Sequence, residues 1–260
     1  MVSGIRSAEP APSPGGTLER QRTPRWVVAA REVAFIAAAA LLYSLVRGLT
    51  DNRVDAAFAN AERVIEFERS LGLFVEPRLQ EATLSHPAAA DLANAVYVWG
   101  YWPVLGITLL WLLVRHPAVY PLYRNALLAS GALSLAVFAA FPLAPPRFLP
   151  EYGFVDTIAL HSSGYRDFNA SALVNEYAAM PSLHFGWVLL LAIAWVAVAR
   201  HRTVRVAGVV VPALMLAAIV LTGNHFIIDG VVAAVIVLAG LGAAVALRRR
   251  YGTPGAGGLW

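Results

Sequence analysis

Runs of apolar residues long enough to cross a lipid bilayer recur along this chain, and they constrain its fold more than any other feature. A membrane-spanning helix needs about 20 predominantly apolar residues. The 260 residues are 58% hydrophobic and 14% charged, whereas a soluble domain carries about 25% charged residues. The pattern predicts an all-α, polytopic membrane protein built as a six-transmembrane-helix bundle. The predicted spans are 26–46, 91–114, 122–141, 182–199, 204–221 and 225–247.

The segments outside the spans divide the chain further. Residues 1–24 are rich in Pro, Gly, Ser and Arg, which predicts a disordered cytoplasmic tail. Residues 25–250 are predicted to form one membrane domain, and 251–260 a second tail. The first apolar run begins late and no small-residue cleavage site follows it. We therefore interpret it as an uncleaved span rather than a signal peptide.

Two of the polar segments are long. Residues 47–90 mix charged and apolar residues at helical spacing, which predicts amphipathic helices lying in the membrane interface, or alternatively a short soluble cap. The apolar positions that can share one face are Val54, Phe58, Ala61 and Ile65. Gly72 and Pro77 are predicted to break these helices. Residues 142–181 form a loop long enough to be functional, predicted to be extracytoplasmic.

The placement of arginine predicts the orientation of the chain. With six spans and a cytoplasmic N-terminus, 13 arginines fall in inside segments and 7 in outside segments. Because cytoplasmic loops carry an excess of basic residues, both termini are predicted to be cytoplasmic, in the cell membrane. The loop 142–181, His184 and His225 then share the outer face. Three segments distant in sequence would thus bring polar groups to one membrane depth.

Composition excludes several kinds of chemistry. The chain has no cysteine, so disulfides, thiolate catalysis and cysteine-ligated metals are excluded. All 20 basic residues are arginine, which rules out a Schiff-base or P-loop lysine mechanism. The net charge of +4 favours contact with anionic lipid headgroups. It is also explained by arginines that set the membrane topology, and both interpretations can hold. Nucleic-acid binding is not expected, because the arginines are spread along the loops.

The residues His225 and Asp229 are the strongest candidates for chemistry. Their i, i+4 spacing places them on one helix face. The carboxylate can accept a hydrogen bond from one imidazole nitrogen, which leaves the other nitrogen free as a base or nucleophile. The alternative is that Asp229 caps or solvates the helix start. A carboxylate within an apolar helix is costly, which favours the functional interpretation.

A second histidine and two arginines complete the candidate group. His184 follows Pro181 and Ser182 in the first helical turn, where free N–H groups favour an anion, and it can donate a proton. Arg147 lies in a proline-rich segment after the third span, and its guanidinium suits phosphate oxygens. Arg166 is a second phosphate-binding candidate, with a salt bridge to Asp167 as the alternative.

These residues predict a phosphoryl-transfer site with no cofactor and no obligatory metal. A zinc site formed by His184, His225 and Asp229 is the alternative, although neither HxxxH nor HExxH spacing is present. A serine hydrolase that uses Ser182 would lack the GxSxG elbow.

Three ordered motifs resemble the signatures of the type 2 phosphatidic acid phosphatase superfamily. APPR at 144–147 is similar to the arginine-bearing first signature, PSLH at 181–184 to PSGH, and HFIID at 225–229 to the HxxxD element. The resemblance covers about residues 90–247. The combination of PPR, MPSLH and GNHxxxD looks most like the inositol-phosphorylceramide-synthase branch, whose members are inositolphosphotransferases.

The chain departs from the family signatures at the phosphate clamp. The first signature normally begins with lysine, which is absent here, and Arg147 is followed by Phe148. The arginine position of the third signature holds Ile219, and Leu183 replaces the glycine of PSGH. Arg166, and after it Arg78, are our candidates for the missing cations.

The resemblance implies a mechanism and a substrate class. His225 would attack phosphorus to form a phosphohistidine, Asp229 would orient it, and His184 would protonate the leaving alcohol. Arg147, Ser182 and Arg166 would bind the phosphate oxygens. The substrate would be a phospholipid or polyprenyl phosphate, and the acceptor either water or a polyol or lipid alcohol. A non-catalytic lipid-binding or lipid-transport protein on the same scaffold is the alternative.

Overall fold

The computed structural model of the chain describes residues 25–48, 53–157, 160 and 176–251. The predicted cytoplasmic tail, residues 252–260 and Arg166 lie outside the described residues. Within the described ranges the chain forms eight α-helices and no strand, which confirms the all-α class. The helices are α1 (Arg25–Gly48), α2 (Val54–Ser70), α3 (Glu76–Leu84), α4 (Pro87–Arg115), α5 (Tyr120–Ala140), α6 (Leu183–Val198), α7 (Arg202–Leu221) and α8 (Ile227–Tyr251).

Four of these helices, α4, α5, α7 and α8, are long and apolar enough to cross a membrane. The chain is therefore a membrane protein, and four spans are supported where the sequence predicts six. α6 is apolar but has only 16 residues. α1 has 24 residues, yet it carries Arg31 and Glu32 within the helix.

The helices pack as a bundle around α6 and α8. α8 lies against α5 and α6, α6 against α7, and α4 against both α6 and α7. At Gly240 a Cβ atom would lie 2.8 Å from the carbonyl oxygen of Ala126, so α5 and α8 touch through their backbones. Small residues allow such close approach in membrane bundles, where van der Waals packing drives helix association. α1 is tied to α5 by an ion pair between Arg124 and Glu32, 2.6 Å apart.

Helices α2 and α3 occupy the segment predicted to be amphipathic. The buried face of α2 includes Ala61 and Ile65 as predicted, but Val54 is 40% exposed and Glu68 lies on the buried face instead. Gly72 lies between α2 and α3 with a positive φ of 68°, as expected of a helix break. Pro77 differs from expectation because it lies in the first turn of α3. Proline is tolerated there, since the N–H groups of a first turn have no partner within the helix.

Four helix ends meet at the same end of the bundle. α5 and α7 finish there, and α6 and α8 begin there. The chain after α5 is held to this end by a parallel β-bridge between Leu143 and Ala178 and by a 3.1 Å hydrogen bond from Ala144 N to Ala57 O. The polar groups on the three junctions therefore come together.

Candidate active site

His225 and Asp229 form a buried pair at the start of α8. The Nδ1 atom of His225 lies 3.3 Å from Oδ2 of Asp229. Asp229 is fully buried, and its Oδ2 also accepts a 3.0 Å hydrogen bond from the backbone N–H of Phe226. These two contacts hold the carboxylate in place. It can thus keep the proton of the imidazole on Nδ1 and leave Nε2 as the reactive nitrogen.

His184 lies in the first turn of α6 between two tyrosines of α4. Its ring is stacked on Tyr97, with centroids 4.5 Å apart, and lies 4.7 Å from the ring of Tyr101. Tyr97 also contacts His225, at a centroid distance of 6.5 Å. One aromatic ring therefore touches both histidines.

Ser182 lies immediately before α6 and connects this helix to α8. Its backbone N–H donates a 3.2 Å hydrogen bond to the carbonyl oxygen of Asp229. Its hydroxyl is buried and forms no hydrogen bond to any described residue. The hydroxyl does not cap α6 either. A buried hydroxyl without a partner is costly, which makes Ser182 Oγ available to a bound ligand.

Arg147 is bound to the residues that precede His225. Its backbone N–H donates a 2.7 Å hydrogen bond to Gly223 O, and its Nη1 donates to Oδ1 of Asn224. Its Nε lies 3.7 Å from Oδ2 of Asp156. Asn224 is itself held by a 2.7 Å hydrogen bond from its Nδ2 to Thr222 Oγ1. The side chain of Arg147 is only 14% exposed, so its guanidinium is fixed beside the turn that precedes His225.

Two glutamates from α2 and α3 contact the first turn of α8. Oε1 of Glu76 accepts a 3.1 Å hydrogen bond from Ile227 N, and Oε1 of Glu68 accepts a 2.9 Å hydrogen bond from Ile228 N. Both side chains are fully buried. Burial, the adjacent carboxyl group of Glu76 and the negative charge of Asp229 raise the pKa of Glu68 to about 9.

The structure thus brings together five of the six predicted site residues. These are Arg147, Ser182, His184, His225 and Asp229. Arg166 lies outside the described residues. Arg78 is exposed on α3, and it forms no hydrogen bond or ion pair within the described part of the chain. The position of the missing family arginine, Ile219, is fully buried in the apolar core. No group of metal-ligating residues occurs among the residues that the structure describes.

Sequence reasoning missed several residues of the site. Tyr97 and Tyr101 lie with Trp99 and Trp102 near the start of the second predicted span, where aromatic residues favour the headgroup level. Instead the two tyrosines are buried against His184, and the two tryptophans are exposed. Their i, i+4 spacing on one helix face was the available signal. Asn224 and Glu76 carried no comparable signal, because their contacts depend on tertiary packing.

The chemistry available at this site is that of an oriented imidazole. One histidine is held by a carboxylate, a second lies on the same tyrosine, and a guanidinium and an unpaired hydroxyl lie close by. Such a group can supply a nucleophile, a proton donor and donors for an oxyanion.

Comparison with known proteins places the chain in a family. The family model described as the PAP2 superfamily matches residues 62–243, a stretch that contains α3 to α7 and all the residues above. No curated protein and no solved structure shows significant similarity to the chain. Members of the matched superfamily are generally phosphatases, which supports a lipid phosphatase-type enzyme. Since the match covers well over half of its length, the chain belongs to the PAP2 superfamily.

Proposed function

We propose that this protein transfers the phosphoryl group of a membrane lipid phosphate or phosphodiester through a phosphohistidine formed on His225. The observation that carries the proposal is the buried contact between His225 Nδ1 and Asp229 Oδ2, with His184 stacked on the tyrosine that also touches His225. Membership of the superfamily supports phosphoryl transfer on lipid phosphates in general.

The first half of the reaction forms the intermediate. Nε2 of His225 attacks phosphorus, a P–N bond forms, and the P–O bond to the leaving alcohol breaks. His184 donates a proton to that leaving oxygen. Asp229 keeps the Nδ1 proton in place and stabilises the positive charge that develops on the ring of His225.

The second half releases the phosphoryl group. His184, now neutral, removes a proton from water or from an acceptor alcohol as its oxygen attacks phosphorus, and the P–N bond breaks. When the lipid is a phosphate monoester, water yields inorganic phosphate and a polyol or lipid alcohol yields a new phosphate monoester. When the lipid is a phosphodiester, the headgroup stays on phosphorus, so water yields a phosphate monoester and an alcohol yields a new phosphodiester. His184 thus serves as acid and then as base, and no cofactor or metal takes part in these steps.

The phosphate oxygens are bound by Arg147, Ser182 and the first turn of α6. Arg147 supplies a guanidinium whose direction Gly223 and Asn224 determine, and Ser182 supplies a buried hydroxyl without a partner among the described residues. Free N–H groups at a helix start favour an anion. Arg166 is the additional cation in this proposal.

The membrane arrangement belongs to the same proposal. α1 and α6 cross the membrane in addition to the four longer helices, which gives six spans within a catalytic domain of residues 25–250. Both termini are cytoplasmic, with short tails at 1–24 and 251–260, and the site faces the extracytoplasmic side of the cell membrane. Supporting this, Arg200, Arg202 and the run 248–250 lie at the opposite end of the bundle from His184. Helices α2 and α3 lie at the interface.

Hydrolysis and transfer use the same residues, so the acceptor decides between them. The motif form favours the inositolphosphotransferase branch, in which a polar phosphoryl headgroup is transferred to an acceptor alcohol. Purified protein in nanodiscs would be given ³²P-labelled phosphatidic acid or labelled phosphatidylinositol, with and without inositol or a lipid alcohol. With phosphatidic acid, a labelled phosphate ester of the added alcohol indicates transfer, and labelled inorganic phosphate alone indicates hydrolysis. With phosphatidylinositol, the corresponding products are a new labelled phosphodiester and labelled inositol phosphate.

The matched variants decide whether the protein is an enzyme at all. His225→Ala should abolish turnover, and His201→Ala, at an exposed histidine of the α6–α7 link, should not change it. Binding of labelled lipid without any turnover in the unaltered protein would instead support the lipid-binding alternative.

A further inference from the structure

Carboxyl groups cap the backbone N–H groups at the start of α8. Three consecutive backbone N–H groups, those of Phe226, Ile227 and Ile228, each donate to a carboxyl oxygen, of Asp229, Glu76 and Glu68 respectively. The three acceptors come from three different helices. A helix start normally leaves its N–H groups to a capping side chain, water or a ligand. Here the protein itself fills the positions at which an anion would bind.

The two glutamates cannot both be ionised at low cost. Both side chains are fully buried, and neither forms an ion pair with any described residue. The charged groups that act on Glu68 are Glu76 from α3 and Asp229 from α8, which are both negative, and the partner of Asp229 is His225. Burying an unpaired carboxylate costs several kcal/mol.

The Oε2 atoms of Glu68 and Glu76 indicate where a proton lies. Oε2 of Glu68 and Oε2 of Glu76 find no donor among the described residues. The two carboxyl groups are neighbours, because their Oε1 atoms accept from the consecutive N–H groups of Ile228 and Ile227. Two carboxylates offer only acceptors. One proton between them makes one group a donor and satisfies both oxygens. The raised pKa of Glu68 agrees with this arrangement.

We propose that Glu68 and Glu76 share one proton and act as a singly charged clamp on the first turn of α8, which positions His225 and Asp229. One negative charge at a helix start is stabilising, because it faces the positive end of the helix dipole. A second would add repulsion against Asp229, the carboxylate that orients the nucleophile. The inference rests on the proposed function only in that the positioned groups are those of the phosphoryl transfer.

The clamp gives α2 and α3 a role in the reaction although neither touches the substrate. Glu68 is in the last turn of α2 and Glu76 is the first residue of α3, so both ends of the connection between these helices hold α8. Glu68 and Glu76 are therefore positioning residues. Loss of the shared proton would loosen the turn that carries the nucleophile.

Glutamine substitutions test the shared proton. In Glu68→Gln the amide oxygen still accepts from Ile228 N, and the amide N–H₂ donates to Glu76, which copies the protonated state. We expect turnover of phosphatidic acid by this variant within about twofold of the unaltered protein at pH 7. Unaltered protein should lose more kcat than Glu68→Gln as the pH rises through about 9, because only the unaltered protein can release the shared proton. Glu66→Gln, at an exposed glutamate of the same helix, should keep the alkaline loss.

Truncation tests the clamp. Glu68→Ala leaves Ile228 N without its acceptor, and we expect kcat to fall roughly 10–100-fold with little change in KM, because the nucleophile is misplaced. Glu68→Gln serves as the conservative rescue. Folded Glu68→Ala protein that keeps full kcat would overturn the positioning role.

A measurement that does not use turnover separates this inference from the proposed function. Infrared spectra of the unaltered protein in D₂O should contain the C=O band of a buried protonated carboxylic acid, which disappears in Glu68→Gln and remains in Glu66→Gln. Absence of that band at pH 7, or an alkaline kcat loss equal in Glu68→Gln and unaltered protein, would overturn the shared proton. Turnover by His225→Ala would instead overturn the phosphohistidine and leave the infrared result unaffected.

Discussion

Helices α6 and α8 both begin at the candidate site, but their first turns are completed in opposite ways. At α8, carboxyl oxygens of Asp229, Glu76 and Glu68 accept from three consecutive N–H groups. At α6, no side chain caps the helix, and the hydroxyl of Ser182 has no partner among the described residues. The helix that carries the proposed nucleophile is held by the protein. The helix that carries the proposed acid is left open to a ligand.

The two helix starts therefore differ in whether they can bind a phosphate. Both have the positive dipole end that favours an anion. At α8 the protein's own carboxyl groups occupy that end, so a phosphate there would meet negative charge. At α6 a hydroxyl and backbone N–H groups are available, and Arg147 approaches from the loop after α5. We therefore expect the substrate phosphate to bind at α6 and to be attacked from α8.

The largest loss of turnover is expected from substitutions of His225 and Asp229. His225→Ala should lower turnover by roughly 10⁴-fold or more, and Asp229→Asn by about 10³–10⁴-fold, because the imidazole loses the partner that orients it. Steady-state hydrolysis of phosphatidic acid in nanodiscs measures both. His201→Ala is the control, and substantial turnover by His225→Ala would contradict the role of this residue.

Arg147 should show the next largest effect. Arg147→Lys should reduce kcat by about 10²–10³-fold, because an ammonium cannot reproduce the fork of a guanidinium or its contact with Asn224. The matched control is Arg202→Lys, at an exposed arginine at the opposite end of the bundle. Equal losses in the two variants would mean that Arg147 has no special place at the phosphate.

Substitution of Ser182 should lower activity without lowering thermal stability. Ser182→Ala removes a hydroxyl with no described partner, so we expect roughly a tenfold or greater loss of kcat/KM with no loss of thermal stability. Ser130→Ala should behave oppositely, because Ser130 Oγ donates to Leu127 O and accepts from Trp187 Nε1. A stability loss at Ser182 without an activity loss would refute an open α6 start.

Alanine substitutions at two glycines test the turn before His225. Gly223 has a φ of 67°, and a Cβ atom there would lie 2.6 Å from Nε2 of Gln80. Gly72 has a φ of 68°, with nothing within 4 Å of its Cβ position. Gly72→Ala should cost about 1–2 kcal/mol of backbone strain. Gly223→Ala should lower Tm further and reduce turnover, since Gly223 O holds Arg147 N. Equal Tm values would contradict the close approach of Gln80.

The smallest effect on turnover at neutral pH is expected for Glu68→Gln. Its effect on Tm, relative to unaltered protein, should change with pH in a defined direction. Because the pKa of Glu68 is raised from 4.5 to about 9 on folding, the folded protein retains a proton that the unfolded chain releases. The stabilisation from this proton is complete below pH 4.5 and is lost as the pH rises to about 9. Relative to unaltered protein, the Tm of Glu68→Gln should rise across that window. A constant Tm difference would contradict the raised pKa.

Most helices could be predicted from the sequence, because apolar runs of bilayer length have few alternative structures. Arginine placement also put His184 and His225 at one end of the bundle, and the structure has them on one tyrosine. The pattern alone did not settle the count of spans, since α6 has only 16 residues and α1, although 24 residues long, carries Arg31 and Glu32.

The carboxyl cap on α8 could not have been predicted in the same way. Glu68 does continue the buried stripe of Ala61 and Ile65, at i+7 and i+3, which was a usable signal. Its partner Ile228 is 160 residues away, and that pairing follows from tertiary packing. The same holds for Asn224 and Arg147, which are 77 residues apart. Local periodicity carries no information on such contacts.

The most direct test of the proposed mechanism is to trap the phosphohistidine intermediate. Protein in nanodiscs would be mixed with ³²P-labelled phosphatidic acid, quenched in alkali to preserve a phosphohistidine, digested with chymotrypsin and analysed by mass spectrometry. We predict a phosphoryl group on His225 in the unaltered protein and none in His225→Ala. Label on His184 or Ser182, or turnover without any labelled histidine, would contradict it.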